Sequence, residues 1–177
     1  MRFELSSIPE IGRLLAVLVA ARPRGHFAEI GTGVGVGSAW VIDALGPEAT
    51  FVTVEQDADR AAAADRLFSE YSNVRVLHGD WHDSLPPHAP FDLLFFDGGA
   101  WKRLPAEEVA VESRRALELV APAGMIVIDD LTPEALWPEE WRGRADPARD
   151  VWLNRDDLVV TELLTTPETA AMLVVRR

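Results

Sequence analysis

Two hydrophobic rhythms alternate along this chain. Short apolar runs recur at Phe27–Ile30, Thr50–Glu55, Val74–His78, Phe91–Asp97 and Gly124–Asp130, each of a length that suits a buried strand. Phe91–Asp97 (FDLLFFD) is nearly continuous in its apolar character, the mark of a parallel strand covered on both faces. Between the runs lie helical patterns. Ile8–Arg22 reads as a helix, and from Ser38 the positions Ala39, Trp40, Ile42 and Leu45 take helical spacing. Asp57–Tyr71 is alanine-rich, with Asp57 as a natural N-cap and Asn73 just past its end. Pro105 opens a helix whose Ala106, Val109, Ala110, Ser113, Leu117 and Val120 share one stripe.

Two segments resist either rhythm. Gly79–Pro90 carries three prolines and two histidines and predicts no regular structure. Leu131–Asp157 bears tryptophans and prolines and predicts a long loop, at most partly helical. The runs Leu158–Leu164 and Ala170–Val175 then close the chain as an antiparallel hairpin. Strands alternating with helices predict an α/β fold of one domain over residues 1–177, with a parallel sheet and right-handed crossovers. Ligands in such a fold sit at the C-terminal ends of the strands.

Composition narrows the chemistry. Cysteine is absent, which excludes a disulfide framework, a thiolate nucleophile and a zinc–thiolate site. A net charge of −12 repels phosphate backbones, so no nucleic-acid partner is expected, and a neutral or cationic substrate or a metal ion suits it better. No apolar run reaches the roughly 18 residues of a membrane span. Leu14–Ala21 is apolar enough for a signal-peptide core, but Glu4 and Glu10 spoil the basic segment before it. The expectation is a cytoplasmic protein without a membrane partner; a homodimer is left open.

The stretch after the first strand is the most telling. Gly31, Gly33 and Gly35 recur at every second position between strand and helix, so backbone N–H groups face one spot that no Cβ obstructs. The dinucleotide pattern G-x-G-x-x-G fails, because its third glycine falls on Val36, Ser38 or Trp40. The pattern that fits is acid-x-G-x-G-x-G from Glu29 to Gly35. It resembles motif I of the class I S-adenosylmethionine (SAM)-dependent methyltransferases. That resemblance implies a Rossmann-like, doubly wound seven-stranded sheet in the order 3-2-1-4-5-7-6, strand 7 antiparallel, with helices on both faces. It also implies SAM as cofactor, with Glu29, Gly31, Thr32, Gly33, Gly35 and Ser38 in the cofactor turn.

By the same resemblance Glu55, ending the second strand, accepts the ribose hydroxyls, and Gln56 lines the adenine. Asp80 takes the adenine amino group and Trp81 packs on the ring, whereas His82 and His88 read as surface loop histidines. Asp97 approaches the methionine end. In the catechol O-methyltransferase-like branch, acids at these strand ends hold a metal, which implies a Mg²⁺-type divalent ion on Asp97, Asp129 and Asp130. The chain departs from that branch in its longer glycine turn, in the GGAWK after strand four and in lacking the extra N-terminal helices, so no substrate class carries over.

Lys102 is the single lysine beside sixteen arginines. Lysine can lose its proton when desolvated and arginine cannot, so Lys102 is the candidate general base, working with Asp97. Trp137, Trp141 and Trp152 read either as an aromatic wall for a planar substrate or as a hydrophobic cap. The reading is a SAM-dependent methyltransferase acting on a small-molecule hydroxyl with metal assistance. Two alternatives stand beside it: a nicotinamide-dependent oxidoreductase on the same sheet, and a SAM-binding protein without catalysis.

Overall fold

A computed structural model describes residues 7–177. Its single sheet runs β3-β2-β1-β4-β5-β7-β6. The strands are β1 His26–Ile30, β2 Thr50–Glu55, β3 Val74–His78, β4 Phe91–Phe96, β5 Val120–Leu131, β6 Leu158–Leu164 and β7 Ala170–Arg176. The first five pair in parallel, and β7 runs antiparallel to both β5 and β6. The helices are α1 Pro9–Ala20, α2 Val36–Asp43, α3 Ala58–Phe68, α4 Trp81–Ser84, α5 Ala106–Glu118 and α6 Pro147–Leu153. The expected strand order and the expected hairpin are both present.

Strand alternation sorts the core into two layers. Leu94 and Phe96 of β4 and Ile126 and Ile128 of β5 join Leu85, Val109, Leu117 and Trp152 on the α4–α5–α6 side. Leu93 and Phe95, with Met125 and Val127, join Ile11, Leu15, Val41 and Phe68 on the α1–α2–α3 side. Continuous apolarity in β4 is thus explained by burial on both faces. Asp57 caps α3 as expected, accepting from Arg60 N–H at 2.9 Å.

Two expectations need revision. Gly79–Pro90 is not irregular throughout: Asp80 accepts from His82 N–H at 3.0 Å and caps the short helix α4, followed by a 3₁₀ turn at Pro86–His88. β5 begins at Val120, ahead of the Gly124 expected, and takes up the extra residues in a register shift against β4 between Phe91 and Leu93. The segment after β5 is, as expected, only partly helical, with 3₁₀ turns at Glu134–Leu136 and Glu139–Trp141 before α6, which Asp146 caps by accepting from Ala148 N–H at 3.0 Å. Among the described residues no helix is long and apolar enough to cross a membrane.

Candidate functional site

The C-terminal ends of β1, β2, β4 and β5 open onto three adjoining cavities. The first, about 190 Å³, is lined by Gly31, Thr32, Gly33, Glu55, Asp97 and Asp130 among others. Gly31, Gly33 and Gly35 all take positive φ, at 97°, 55° and 86°. Side chains rarely adopt such angles, and the close approach matters too: a Cβ on Gly31 would stand 3.4 Å from the Gly98 Cα. Gly35 is the N-cap of α2, so it shapes the turn without lining the cavity.

Glu29 is buried, 1% exposed, and is paired in register with Thr53 of β2. It accepts from Thr53 Oγ1 at 2.7 Å and from the Ser38 hydroxyl. Burial pushes its pKa up to about 7, with the two hydrogen bonds working against that rise. Ser38 therefore steadies Glu29 from beneath the turn. Thr32 shares a 2.6 Å hydrogen bond with Thr53.

Glu55, 5% exposed, faces the first cavity and a second of about 360 Å³. Its Oε2 accepts from Gly33 N–H at 2.8 Å; its Oε1 accepts from Asp57 N–H at 2.9 Å and from Arg60 at 2.8 Å. Burial favours its neutral form, but the Arg60 bond and the two backbone donors outweigh burial and hold the pKa below the usual glutamate range. A carboxylate offers about four lone-pair directions, so Glu55 retains capacity for one further donor. Arg60, five positions downstream on α3, escaped the sequence reading; an arginine one turn past an N-cap gave no signal that it would bend back.

The second cavity also holds Gln56, Trp81, His82 and Glu112. Trp81 packs edge-on to Phe96 at 5.7 Å and stacks on His82 at 4.0 Å. Asp80 receives Gln56 Nε2 at 3.3 Å and pairs with His82 Nδ1 at 2.6 Å, while His82 Nε2 reaches Glu112 of α5 at 2.8 Å. His82 is therefore no free surface histidine: α5, distant in sequence, supplies its second carboxylate. His88 is half-buried rather than on open surface, its carbonyl bonded to the His26 ring at 2.7 Å.

Asp97, after β4, lines the first cavity. Burial, and then the charges of Glu29, Asp130 and Asp129, push its pKa up to about 8. Asp129 is 3% exposed, accepts from Asp130 N–H at 2.7 Å, and is raised by burial to about 6. Asp130 takes φ 58°, a left-handed backbone unusual for a non-glycine residue. Lys102, in the 3₁₀ turn Gly99–Arg103, donates to the Asp129 carbonyl. Its burial lowers its pKa, against the carboxylates of Asp130, Asp97 and Asp129, which hold the proton on.

The expected metal site is not assembled. Among the described residues no group of three or more His, Asp or Glu side chains could hold a metal ion. Asp130 takes its left-handed backbone where the β5–β7 register breaks between Ile128 and Leu131, and Asp129 Oδ1 is taken up by the Asp130 N–H. The residues present do not fit a divalent ion of the catechol type.

A third cavity, about 700 Å³, lies beyond, between the Gly99–Arg103 turn, the end of β5 and the start of α6. It shares Ala100 and Asp130 with the first cavity. Trp137 and Trp141 line it, whereas Trp152 is 1% exposed in the core, edge-on to Trp101 at 6.4 Å. The tryptophans thus divide: two wall residues and one cap.

A seven-stranded sheet in this order, with a glycine turn after β1 and an acid ending β2, is the architecture of the class I SAM-dependent methyltransferases. The chain belongs to the methyltransferase-domain family, which matches residues 28–131. It is 39% identical over 101 residues to a protein-L-isoaspartate O-methyltransferase of Ignicoccus hospitalis, covering 56% of this chain and 47% of that protein. The chain spans about half the length of the curated relatives it matches. Among solved structures it resembles an O-methyltransferase of Bacillus cereus in complex with SAH, the demethylated product, with a TM-score of 0.79 at 20% identity, covering 99% of this chain and 84% of that one. An O-methyltransferase of Streptomyces achromogenes in complex with SAM is similar, with a TM-score of 0.70 at 24% identity, covering 98% and 82%.

Proposed function

We propose that the protein transfers the methyl group of SAM to a hydroxyl of a small molecule held in the 700 Å³ cavity. One observation carries the reading: the glycine turn and Glu55 frame a ligand space that meets a separate, larger cavity at Ala100 and Asp130, beside Lys102. SAM would lie along the first two cavities, with Glu55 toward the ribose, Gln56, Asp80 and Trp81 toward the adenine, and Asp97 toward the methionine end. When bound it supplies an electrophilic methyl on a sulfonium.

The chain's own part is alignment and proton handling. Fixing two reactants across a shared wall can supply roughly 7–11 kcal/mol of a barrier. The acceptor hydroxyl must also lose its proton. Lys102 lines the larger cavity two residues from Ala100, and its lowered pKa favours the neutral amine that accepts one. A carboxylate near a sulfonium contributes binding more than rate, since the positive charge disperses as the methyl moves. No metal-assisted step enters, because among the described residues the acids form no group that could hold a metal ion.

A second reading has support in the isoaspartate methyltransferase relative: the acceptor oxygen is a carboxylate, which needs no base. Lys102→Arg separates the two. A hydroxyl acceptor loses turnover in that variant, and a carboxylate acceptor does not. The parent reading is tested by thermal shift with SAM, SAH and NAD. Stabilisation by SAM and SAH is expected; stabilisation by NAD alone would establish the oxidoreductase alternative.

A further inference from the structure

The protein as a whole is acidic, at −12, yet the third cavity is walled by Lys102, Arg103, Arg144 and Arg149 against only Asp130 and Asp146. Most of these charges are already engaged. Arg149 pairs with Asp146 and with Glu162 at 2.7 Å, donates to the Thr132 carbonyl at 2.7 Å, and lies 5.4 Å over the Trp137 ring. Asp146 also accepts from Ala148 N–H at 3.0 Å. Lys102 is committed to the Asp129 carbonyl and faces the acids at the methyl end. What remains is Arg103, in the turn after β4, and Arg144, in the loop before α6. Neither guanidinium has an ion pair or side-chain hydrogen bond among the described residues.

An exposed arginine is ordinary. Two from separate segments, meeting at one cavity in a protein with twelve surplus negative charges, are not. The aromatic lining fits the same purpose. Trp137 is held in place by its indole N–H on the Thr132 carbonyl at 3.0 Å and by Arg149 over its face, so it presents a fixed plane. Trp141 stands beside it, 51% exposed. A neutral acceptor would need the planes and not the arginines, and a cationic one would be repelled by them.

We infer that the acceptor is a planar aromatic anion of the hydroxybenzoate type, its ring against Trp137 and Trp141 and its anionic group between Arg103 and Arg144. Its hydroxyl then points to the Ala100–Asp130 wall beside Lys102. This rests on the reading that SAM occupies the adjoining cavities. It also reverses the expectation of a neutral or cationic substrate drawn from net charge: guanidinium forks a few ångströms away act more strongly on an anion than a diffuse field screened beyond about 8–10 Å.

The test is calorimetric titration of SAH-loaded protein with ring-matched pairs, 4-hydroxybenzoate against phenol and 3,4-dihydroxybenzoate against catechol, with phenyl phosphate as a second anion. The proteins are wild type, Arg103→Gln, Arg144→Gln and the double variant. In wild type at least one acid should bind about tenfold or more tighter than its neutral partner, with a preference that shrinks as salt rises. The double variant should lose roughly 10- to 100-fold in acid affinity, in line with hydrogen bonds to charged groups, while catechol and SAH bind as before. Phenyl phosphate binding more tightly than either acid would make the anionic group a phosphate and overturn the benzoate assignment. Equal affinity within every pair, no measurable acid binding up to millimolar concentration, or an unchanged double variant would each overturn the inference. SAH affinity, measured on the same samples, keeps the two readings apart: loss of SAH binding in wild type sinks the methyltransferase reading, whereas retained SAH binding without anion preference sinks only this one.

Discussion

The two sides of the site are built on opposite principles. On the side proposed for the cofactor, at the ends of β1 and β2, the two acids are held by the chain: Glu29 to Ser38 and Thr53, Glu55 to Gly33, Asp57 and Arg60. On the side proposed for the acceptor, after β4 and β5, the cavity is larger, and its wall carries an exposed indole and two arginines, Arg103 and Arg144, that have no carboxylate partner among the described residues. A side whose acids are already fixed by the chain presents one shape, with Glu55 keeping room for one further donor. A side with unspent donors on irregular segments is where a family varies its substrate. Net charge describes neither: the cofactor side gathers acids, and the acceptor side gathers the basic groups.

The sharpest way to break this comparison is at the wall between the sides. Lys102→Arg keeps the charge and removes the base, so with a hydroxyl acceptor it should cost about 10²–10⁴ in turnover while SAH affinity stays within twofold. A fall in SAH affinity as large as the fall in rate would move Lys102 to the cofactor side.

The tryptophans give the next largest effect. Trp152→Ala empties a fully buried site and should cost about 3–5 kcal/mol in denaturant unfolding. Trp141→Ala removes a half-exposed side chain and should stay within about 0.5 kcal/mol. Similar losses in both would deny that Trp141 belongs to a cavity wall.

On the cofactor side, Glu55→Ala should weaken SAM and SAH by roughly 1.5–3 kcal/mol in calorimetry, the usual worth of hydrogen bonds to a charged group. An unaltered affinity would take Glu55 out of the site.

A further test is one of pH. Glu29, Asp97 and Asp129 have pKa values raised by burial to about 7, 8 and 6, above their unfolded values. Between about pH 4 and 8 the folded protein therefore holds more protons than the unfolded chain, and stability falls as pH rises through that window. The ligand-free thermal midpoint should decline from pH 5 to 8.5, and less steeply in Asp97→Asn. Glu55 works the other way, its lowered pKa adding stability that is lost only as pH falls below the ordinary glutamate range. A midpoint that rises toward pH 8.5 would contradict the burial of these acids.

Most of the scaffold was legible because it is written in local patterns. Residues of β2 and β3 could be read to their ends, since period and length are properties of the segment alone. The glycines at 31, 33 and 35 announced a turn that only such residues can make. Glu55 was readable too, as the acid closing a strand. The metal site was not legible in the same way. Whether Asp97, Asp129 and Asp130 form one group depends on the backbone at Asp130, which leaves the strand conformation, and among the described residues they form no group that could hold a metal ion. His82 and Arg60 acquired their roles from Glu112, thirty residues from His82, and from the fold-back onto Glu55.

Sequence by itself determined the elements, their order and the glycine turn, because backbone preference and hydrophobic period act over a few residues. Tertiary structure alone decided which side chains converge. It separated Trp152 from Trp137 and Trp141, set Lys102 in the larger cavity near the strand-end acids, and brought Arg103 and Arg144 from segments about forty residues apart to one space. Those encounters depend on crossovers and packing between distant segments, and no local pattern encodes a distance across the fold.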